Sequence, residues 1–371
     1  MKLLAALLCG DDPPPGPKGL GQAVAQMGLM RGVLDRAWQA MLQRGGDQEG
    51  CQCLFVAPEF WFSNRFEETV NDPQHNGKYY HEDTKKWIVD AIAATSKAYP
   101  NVLIVPGTVL WCMQRRVGGV HVQKVKARYE ALANYHQQTY GNVKSAMMKV
   151  GTKEGDLKYW GDAQLNAPGW THTESKDNPK ATPSELLDTG EYLIGANTAY
   201  IAKNGVVLKY HKIGNSAETS GSRKNIVFMP GNIVGQFNVG NVRYGLEICM
   251  DHWLGIQKNS NAPAPDVQII TSNTTSDRTF HMTGKSAIVH ATNAGRISQS
   301  QGSSVYQSGQ AKVTENIRLQ TYADRLGLDL VTYDLPGTGV GARPSDILKP
   351  LAPQQDLSGT FGLRVDLPRI R

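Results

Sequence analysis

Three residues whose side chains suit acyl transfer each lie just beyond a predicted strand in this sequence. Cys249 ends the alternating stretch Val242–Ile248, where a strand is predicted to turn sharply. Glu59 follows the apolar run Leu54–Ala57, and Lys212 follows a predicted hairpin. Acyl transfer needs a nucleophile, a base that takes and returns its proton, and a positive charge beside the developing oxyanion. A thiol, a carboxylate and an ammonium supply these three roles.

The surroundings of each residue agree with such chemistry but also allow simpler roles. The aromatic residues that follow Glu59 would desolvate it and raise the pKa of its carboxyl toward the range useful to a general base. An ammonium beside a thiol lowers the pKa of that thiol. Taken singly, Cys249 could be a small buried apolar residue, Glu59 a surface acid or helix cap, and Lys212 a solvated lysine.

In their order these residues resemble the motifs of the nitrilase, or carbon–nitrogen hydrolase, superfamily. Pro58-Glu59 resembles its glutamate motif, Tyr210-His211-Lys212 resembles its Y-R-K lysine motif, and Gly245–Asp251 (GLEICMD) resembles its G-x-x-I-C-x-D cysteine motif. The resemblance implies that Cys249 is the nucleophile, Glu59 the general base and acid, and Lys212 the oxyanion-binding group. It also implies an α/β fold with a four-layer α-β-β-α sandwich.

The same resemblance indicates supporting residues around this triad. Glu218 lies near the position of a second glutamate that orients the lysine in the family, although the intervening residues lack the usual proline. Further residues that adjoin the catalytic ends are expected to line the substrate pocket, with core packing as the alternative for Trp253: Trp61, His252, Trp253, Asn273 and Thr274.

Alternating strand and helix patterns predict the layers that position these residues. The predicted strands are Met1–Gly10, Cys51–Ala57, Val102–Leu110, Leu193–Ala202, Val206–Tyr210, Val242–Ile248, Val267–Ser272, Ala287–Asn293, Gly302–Tyr306 and Leu328–Leu335. The predicted helices are Gln22–Gln43, Thr84–Ala98 and Asn316–Leu326, with a further helical piece around Val122–Tyr140.

The whole chain, residues 1–371, is predicted to be a single domain with one large insertion. About 150 residues separate Glu59 from Lys212, roughly twice the separation usual in the family. A polar insertion at about 113–188 explains the difference, and insertions at loops cost little stability. The insertion either covers the site or is a solvated loop on the surface. A Gly- and Pro-rich tail is expected from about 336 to 371.

Composition restricts the classes of partner. The net charge of +6 is spread along the chain, so nucleic-acid binding is not expected. Five cysteines without a C-x-x-C pair, and nine histidines without ligand-like spacing, favour a reducing compartment and predict neither a disulfide framework nor a metal site. No cofactor is implied.

Met1–Gly10 resembles the beginning of a secretory signal, but its apolar run is short and no cleavage site follows it, so it is interpreted as the first strand. No run is long enough to span a bilayer. We therefore expect a cytoplasmic protein without membrane partners, and the resemblance implies a homo-oligomer.

The predicted function is thiol-dependent hydrolysis of a non-peptide C–N bond in a small-molecule amide or nitrile. Met250-Asp251 after the cysteine is closer to the amidase and carbamoylase branches than to true nitrilases, which usually have Trp-Glu there.

Three alternatives remain open at this stage. The chain could be a nitrilase or an N-acyltransferase of the same superfamily, or a non-catalytic binding member that uses its insertion as an interaction surface. It could also be a papain-like hydrolase that pairs Cys249 with His281 or His290 and with Asn293, although it lacks the Cys-Gly-Ser-Cys-Trp pattern of that family.

Overall fold

A computed structural model describes fourteen stretches of the chain. They are residues 1–10, 19–64, 79–114, 193–214, 226–231, 233–260, 262–273, 287–292, 304–307, 310–311, 315–318, 326–335, 348–350 and 364–366. Most of the predicted insertion, including the helical piece around Val122–Tyr140, lies outside them.

The first of two sheets contains ten described strands. They are β1 (Lys2–Gly10), β2 (Cys51–Val56), β3 (Tyr80–His81), β4 (Val102–Val105), β5 (Thr108–Gln114), β6 (Leu193–Lys203), β7 (Val206–His211), β8 (Ile226–Phe228), β15 (Glu315–Arg318) and β16 (Leu326–Asp334). Their order is β15-β16-β1-β2-β4-β6-β5-β3, with β7 and β8 also paired to β6.

The second sheet contains eight described strands. They are β9 (Ile233–Val239), β10 (Val242–Ile248), β11 (Val267–Ser272), β12 (Ala287–Thr292), β13 (Ser304–Gln307), β14 (Gln310–Ala311), β17 (Leu348–Pro350) and β18 (Arg364–Asp366). Their order is β14-β13-β12-β11-β10-β9-β17, and β18 also pairs with β9. The predicted tail therefore contributes two short strands to this sheet.

Strand β1 shows why the core lies between the two sheets. Its residues Leu3–Leu8 are all apolar and fully buried, because β1 is flanked by β16 and β2 and contacts β12 of the second sheet. A strand buried on both faces has a continuous apolar run rather than an alternating one. The prediction of a first strand at this position is confirmed.

Two long helices, α1 (Leu20–Leu42) and α2 (Glu82–Ala98), pack against the first sheet through their apolar faces. Two short helices, α3 (Met250–Trp253) and α4 (Ile256–Asn259), contact the second sheet near β10. The α/β fold class is confirmed, and the complete four-layer arrangement stays a prediction. No helix in the described stretches is both long and apolar enough to cross a membrane.

Two predicted elements are wrong in detail. The single strand Val102–Leu110 is two strands, because Pro106 and Gly107 interrupt it. Gly107 has a φ of 75° and its Cα lies against the Pro58 carbonyl, so a side chain there would clash with the backbone beside Glu59.

The predicted helix Asn316–Leu326 begins instead with a strand. Residues Glu315–Arg318 form β15, which pairs antiparallel with β16. Pairing with the open side of β16 overrides the weak helical pattern, since tertiary context outweighs propensity in short segments. Residues 319–325 lie outside the described stretches.

The predicted hairpin that leads to Lys212 is confirmed. Strands β6 and β7 pair antiparallel, from Lys203↔Val206 to Thr198↔His211. The two residues between them, Asn204 and Gly205, both have positive φ, of 48° and 80°. Asn-Gly favours such a turn because both residues adopt left-handed conformations at little cost.

Candidate active site

Cys249 occupies a strained turn between β10 and α3. Its φ of 45° and ψ of −98° lie in a region that residues with a Cβ rarely adopt. Its N–H donates to the Thr271 carbonyl at 2.9 Å, so the parallel pairing of β10 with β11 extends to the cysteine before the chain turns. The residue is only 6% exposed. A side chain at such a turn projects from the end of the sheet instead of continuing the strand.

Glu59 stands just beyond β2, and the backbone on both sides of it is held in place. Its N–H donates to the Ser272 carbonyl at 3.2 Å. The next residue, Phe60, has a φ of 61° and donates its N–H to the Thr108 hydroxyl at 2.9 Å. The carboxylate is therefore presented by a strained and hydrogen-bonded loop, as is the thiol.

Glu59 and Lys212 form a buried ion pair. The Lys212 Nζ lies 2.8 Å from Glu59 Oε1, and the two side chains are 0% and 1% exposed. Asn197 Nδ2 donates to the same oxygen at 2.9 Å, and the Asn273 N–H donates to Oε2 at 3.1 Å. Both carboxylate oxygens thus accept hydrogen bonds while buried.

The backbone of Lys212 is held in place by two hydrogen bonds. Its N–H donates to the Asn197 carbonyl at 2.9 Å, and its carbonyl accepts from the Gly231 N–H at 2.7 Å. Its Nζ lies 6.0 Å from the centre of the Phe60 ring. The hairpin β6–β7 therefore delivers the ammonium to the carboxylate in one geometry.

The end of β11 joins the carboxylate of the first sheet to the cysteine of the second. Thr271 accepts the Cys249 N–H with its carbonyl and donates its hydroxyl to the Ala57 carbonyl at 2.9 Å. Ser272 and Asn273, the next two residues, hold Glu59 through their backbone. The structure thus brings Glu59 and Lys212 into contact and links both to the Cys249 turn.

Asp251 connects the turn after Cys249 to the loop after Lys212 through hydrogen bonds. Its Oδ2 accepts the Tyr210 hydroxyl at 2.7 Å, and its Oδ1 accepts the N–H groups of Ile213 and Gly214 at 3.0 and 2.6 Å. Burial raises the pKa of Asp251 to about 7, while these hydrogen bonds and the charge of Lys212 act in the opposite direction. Sequence analysis had identified Asp251 only as a motif position.

His252, a predicted pocket residue, is fully buried and contacts Glu247. Its Nδ1 lies 2.8 Å from Glu247 Oε2, which also accepts from Gln268 Nε2 at 2.6 Å. The Gln257 N–H donates to the other oxygen at 2.9 Å. This cluster supports the turn that carries Cys249, and a contact between His252 and substrate stays a prediction.

The other predicted residues divide into described and undescribed ones. Trp61 is fully buried, and Asn273 is half-buried and reaches Glu59 through its N–H. Only the backbone of Trp253 is described, as part of α3, and Glu218 and Thr274 lie outside the described residues.

Of the residues that the papain-like alternative would use, the structure describes Cys249 and His290. His290 is buried, and its Nε2 lies 2.7 Å from the Ser272 hydroxyl. His281 and Asn293 lie outside the described residues.

Sequence analysis missed Asn197. It is fully buried on β6 and contacts Glu59 and Lys212, one through its side chain and the other through its carbonyl. The available signal was the polar pair Asn197-Thr198 inside the otherwise apolar run of β6, since a buried polar residue needs a partner.

Comparisons with known proteins found similar solved structures at low sequence identity. No family model and no curated protein sequence matches the chain. Among solved structures, a variant of the Nesterenkonia AN1 amidase, from the nitrilase superfamily, has 13% identity and a TM-score of 0.44, with 89% of this chain and 90% of that one covered. The chain is similar to nitrilase-superfamily amidases.

Two further solved structures also match the chain. Another variant of the same amidase carries acrylamide added to its active-site cysteine, and has 12% identity and a TM-score of 0.42, with 90% of this chain and 93% of that one covered. Glutamine-dependent NAD+ synthetase from Acinetobacter baumannii has 12% identity and a TM-score of 0.42, but only 46% of that chain is covered, against 90% of this one.

Proposed function

We propose that this chain is a divergent member of the nitrilase superfamily that hydrolyses non-peptide C–N bonds through a cysteine acyl-enzyme. Its preferred substrates are small amides or N-carbamoyl compounds. The observation that carries the proposal is the buried Glu59–Lys212 ion pair, which the end of β11 joins to the strained Cys249 turn.

A purely structural role explains this pair poorly. Burying an ammonium and a carboxylate together costs much of what their attraction returns, so apolar residues of similar size would serve a core equally well. Strained backbone at both Phe60 and Cys249 is a further cost that native structures retain mainly at functional sites. The pair and the strain occur at the same edge of the two sheets.

In the acylation step Cys249 attacks the substrate carbonyl carbon. Glu59 accepts the thiol proton as the S–C bond forms, and the Lys212 ammonium stabilises the negative oxygen of the tetrahedral intermediate. Glu59 then gives that proton to the nitrogen, and the C–N bond breaks to release ammonia or an amine. Asn197 and the Asn273 N–H hold the carboxylate in place during both transfers.

In the deacylation step water replaces the departed amine. Glu59 takes one proton from water as the oxygen attacks the thioester carbon, and Lys212 stabilises the second oxyanion. The S–C bond then breaks, the sulfur regains the proton from Glu59, and the carboxylic acid leaves. One carboxylate is sufficient because it alternates between base and acid.

The test is ammonia release from a panel of primary amides, N-carbamoyl compounds and nitriles. The wild type is expected to release ammonia from at least one class, and Cys249→Ala is expected to release none. Cys51→Ala is the matched control, because Cys51 is also a free buried cysteine but lies at the opposite end of β2 from Glu59.

The responding substrates also separate the related activities. Nitriles alone would identify a nitrilase, and product that appears only when an amine acceptor is added would identify an acyltransferase. Equal release by wild type and Cys249→Ala would remove the cysteine from the reaction. No release by either, together with no acyl adduct on Cys249 in intact-mass spectra, would favour the non-catalytic alternative.

A further inference from the structure

Asn197 has one polar atom that the site so far described does not use. Its Nδ2 donates to Glu59 Oε1 at 2.9 Å, and its backbone carbonyl accepts from Lys212. Its Oδ1 is fully buried and has no hydrogen-bond partner in the described part of the chain. Buried carbonyl oxygens are nearly always hydrogen-bonded in native proteins, so this acceptor needs an explanation.

The orientation of the carboxamide follows from its neighbour. An ionised carboxylate only accepts hydrogen bonds, so the group that meets Glu59 must be the NH₂, and Oδ1 points elsewhere. Oδ1 and Nδ2 share one carbon and lie about 2.3 Å apart. The free acceptor is therefore adjacent to the oxygen of Glu59 that also binds Lys212.

A ligand group that hydrogen-bonded to Glu59 Oε1 beside Asn197 Nδ2 would also be positioned to donate to Asn197 Oδ1. In the proposed reaction that group is the leaving nitrogen, which receives a proton from Glu59 as the C–N bond breaks. A nitrogen that carries another hydrogen can donate it to Oδ1. An ester oxygen has no such hydrogen, and neither does the nitrogen of an unreacted nitrile.

We propose that Asn197 recognises the leaving nitrogen of the substrate by accepting an N–H bond at its Oδ1. This inference rests on the proposed hydrolase function and specifies its substrate class. The substrates are primary or secondary amides and N-carbamoyl compounds with at least one hydrogen on the scissile nitrogen. A site built to bond an N–H discriminates strongly against analogues that lack it, because the acceptor is then buried unpaired.

The experiment compares kcat/KM for two substrates that share an acyl group. They are the primary amide with the highest kcat/KM in the panel and the methyl ester of the same acid. Asn197→Leu keeps the size of the side chain but removes both polar atoms. We expect the amide-to-ester ratio of kcat/KM to fall by about tenfold or more in this variant. The loss of the Nδ2 bond to Glu59 affects both substrates, whereas only the amide loses a bond from its own N–H to Oδ1.

Thr198→Val is the matched control. Thr198 is the neighbouring buried residue on β6, but its hydroxyl bonds to Trp111 Nε1 and His211 Nδ1, both at 2.8 Å. It should leave the amide-to-ester ratio within about twofold of the wild type. Circular dichroism and Tm establish that both variants fold.

A second measurement uses only the wild type and so does not depend on the folding of a variant. The N-methyl derivative of the chosen amide keeps one N–H, whereas the N,N-dimethyl derivative keeps none. We expect the loss of kcat/KM on adding the second methyl to exceed the loss on adding the first by about tenfold or more.

The outcomes separate this inference from the function on which it rests. An equal fall in amide and ester hydrolysis in Asn197→Leu, or equal losses for the two methyl groups, would overturn the recognition of N–H while leaving the hydrolase function intact. If neither an amide nor an N-carbamoyl compound in the panel is hydrolysed by the wild type in a Cys249-dependent manner, the hydrolase function itself is wrong.

Discussion

Two buried glutamates, Glu59 after strand β2 of the first sheet and Glu247 in strand β10 of the second, have similar numbers of hydrogen bonds but different partners and positions. Glu59 accepts from an ammonium, a carboxamide and a backbone N–H, and Glu247 accepts from a glutamine, a backbone N–H and the His252 ring. Glu59 lies beyond the end of its strand, whereas Glu247 lies inside β10, two residues before Cys249.

The difference indicates what each carboxylate does. A carboxylate within a strand, bonded to groups of its own sheet and of the helices beside it, holds the Cys249 turn in place. A carboxylate beyond a strand end can meet a ligand, and its ammonium partner carries the charge that an oxyanion needs. Burial and hydrogen-bond count alone do not separate the two roles, but position along the strand does.

Replacing the carboxylate at the strand end should have the largest effect on activity. We expect Glu59→Gln to lower kcat by about 10³-fold, because general acid–base catalysis contributes 10²–10⁴. Steady-state kinetics on the best amide of the panel measures the change. Retention of more than a tenth of the wild-type kcat would contradict the assigned role.

Removing both charges of the ion pair separates catalysis from stability. Glu59→Gln alone leaves the Lys212 ammonium buried without its counter-charge, which should lower the free energy of unfolding by about 3–5 kcal/mol. The double variant Glu59→Gln/Lys212→Met should recover most of that loss and remain inactive, since a buried pair adds little net stability. Urea unfolding of the three proteins measures both changes. A double variant less stable than the single one would show that the pair is itself structural.

Asp251 predicts a pH dependence of the stability of the fold. Its pKa is about 7 in the folded chain and about 3.9 in an unfolded one, so the folded state binds more protons between those values. Stability should therefore fall as pH rises from about 4 to 7, by about 2–4 kcal/mol at about 1.4 kcal/mol for each pKa unit.

Asp251→Asn isolates this contribution. Asparagine keeps an acceptor for the Ile213 and Gly214 N–H groups but does not titrate. Unfolding measured at pH 5 and at pH 8 should show a smaller difference in the variant than in the wild type. Identical pH profiles would place the stability change in other groups.

Glu247→Gln should have the smallest effect on activity among these changes. The glutamine NH₂ would face the Gln268 NH₂, so one hydrogen bond is lost and the free energy of unfolding should fall by about 2 kcal/mol. We expect kcat to fall by less than tenfold, because the variant loosens the turn without removing a reacting group. A fall in kcat as large as that caused by Glu59→Gln would show that the two glutamates do not have the different roles proposed for them.

Much of the site was predictable because its residues lie where local patterns end. Glu59, Lys212 and Cys249 each lie just beyond a strand, and turn residues such as Asn204-Gly205 act within a few positions. The parallel pairing of neighbouring strands then places their ends at one edge of a sheet. These are properties of short segments, which the order of residues already contains.

Asn197 and the bonds of Asp251 were not predictable in the same way. Asn197 is 138 positions from the carboxylate that it binds, and Asp251 is 41 positions from Tyr210. No local pattern indicates which partner a buried polar group will find, because that partner is supplied by another sheet or loop. The edge strand β15 was missed for the same reason, since its conformation depends on β16.

The sequence by itself determined the three candidate residues, their positions at strand ends and the succession of most strands along the chain, because these depend on local periodicity and turn chemistry. Only the tertiary structure decided that Glu59 pairs with Lys212, that β11 joins them to Cys249, and that Asn197 Oδ1 has no hydrogen-bond partner among the described residues. Those relations depend on contacts within and between the two sheets, and such contacts satisfy polar groups of segments that lie far apart in the chain.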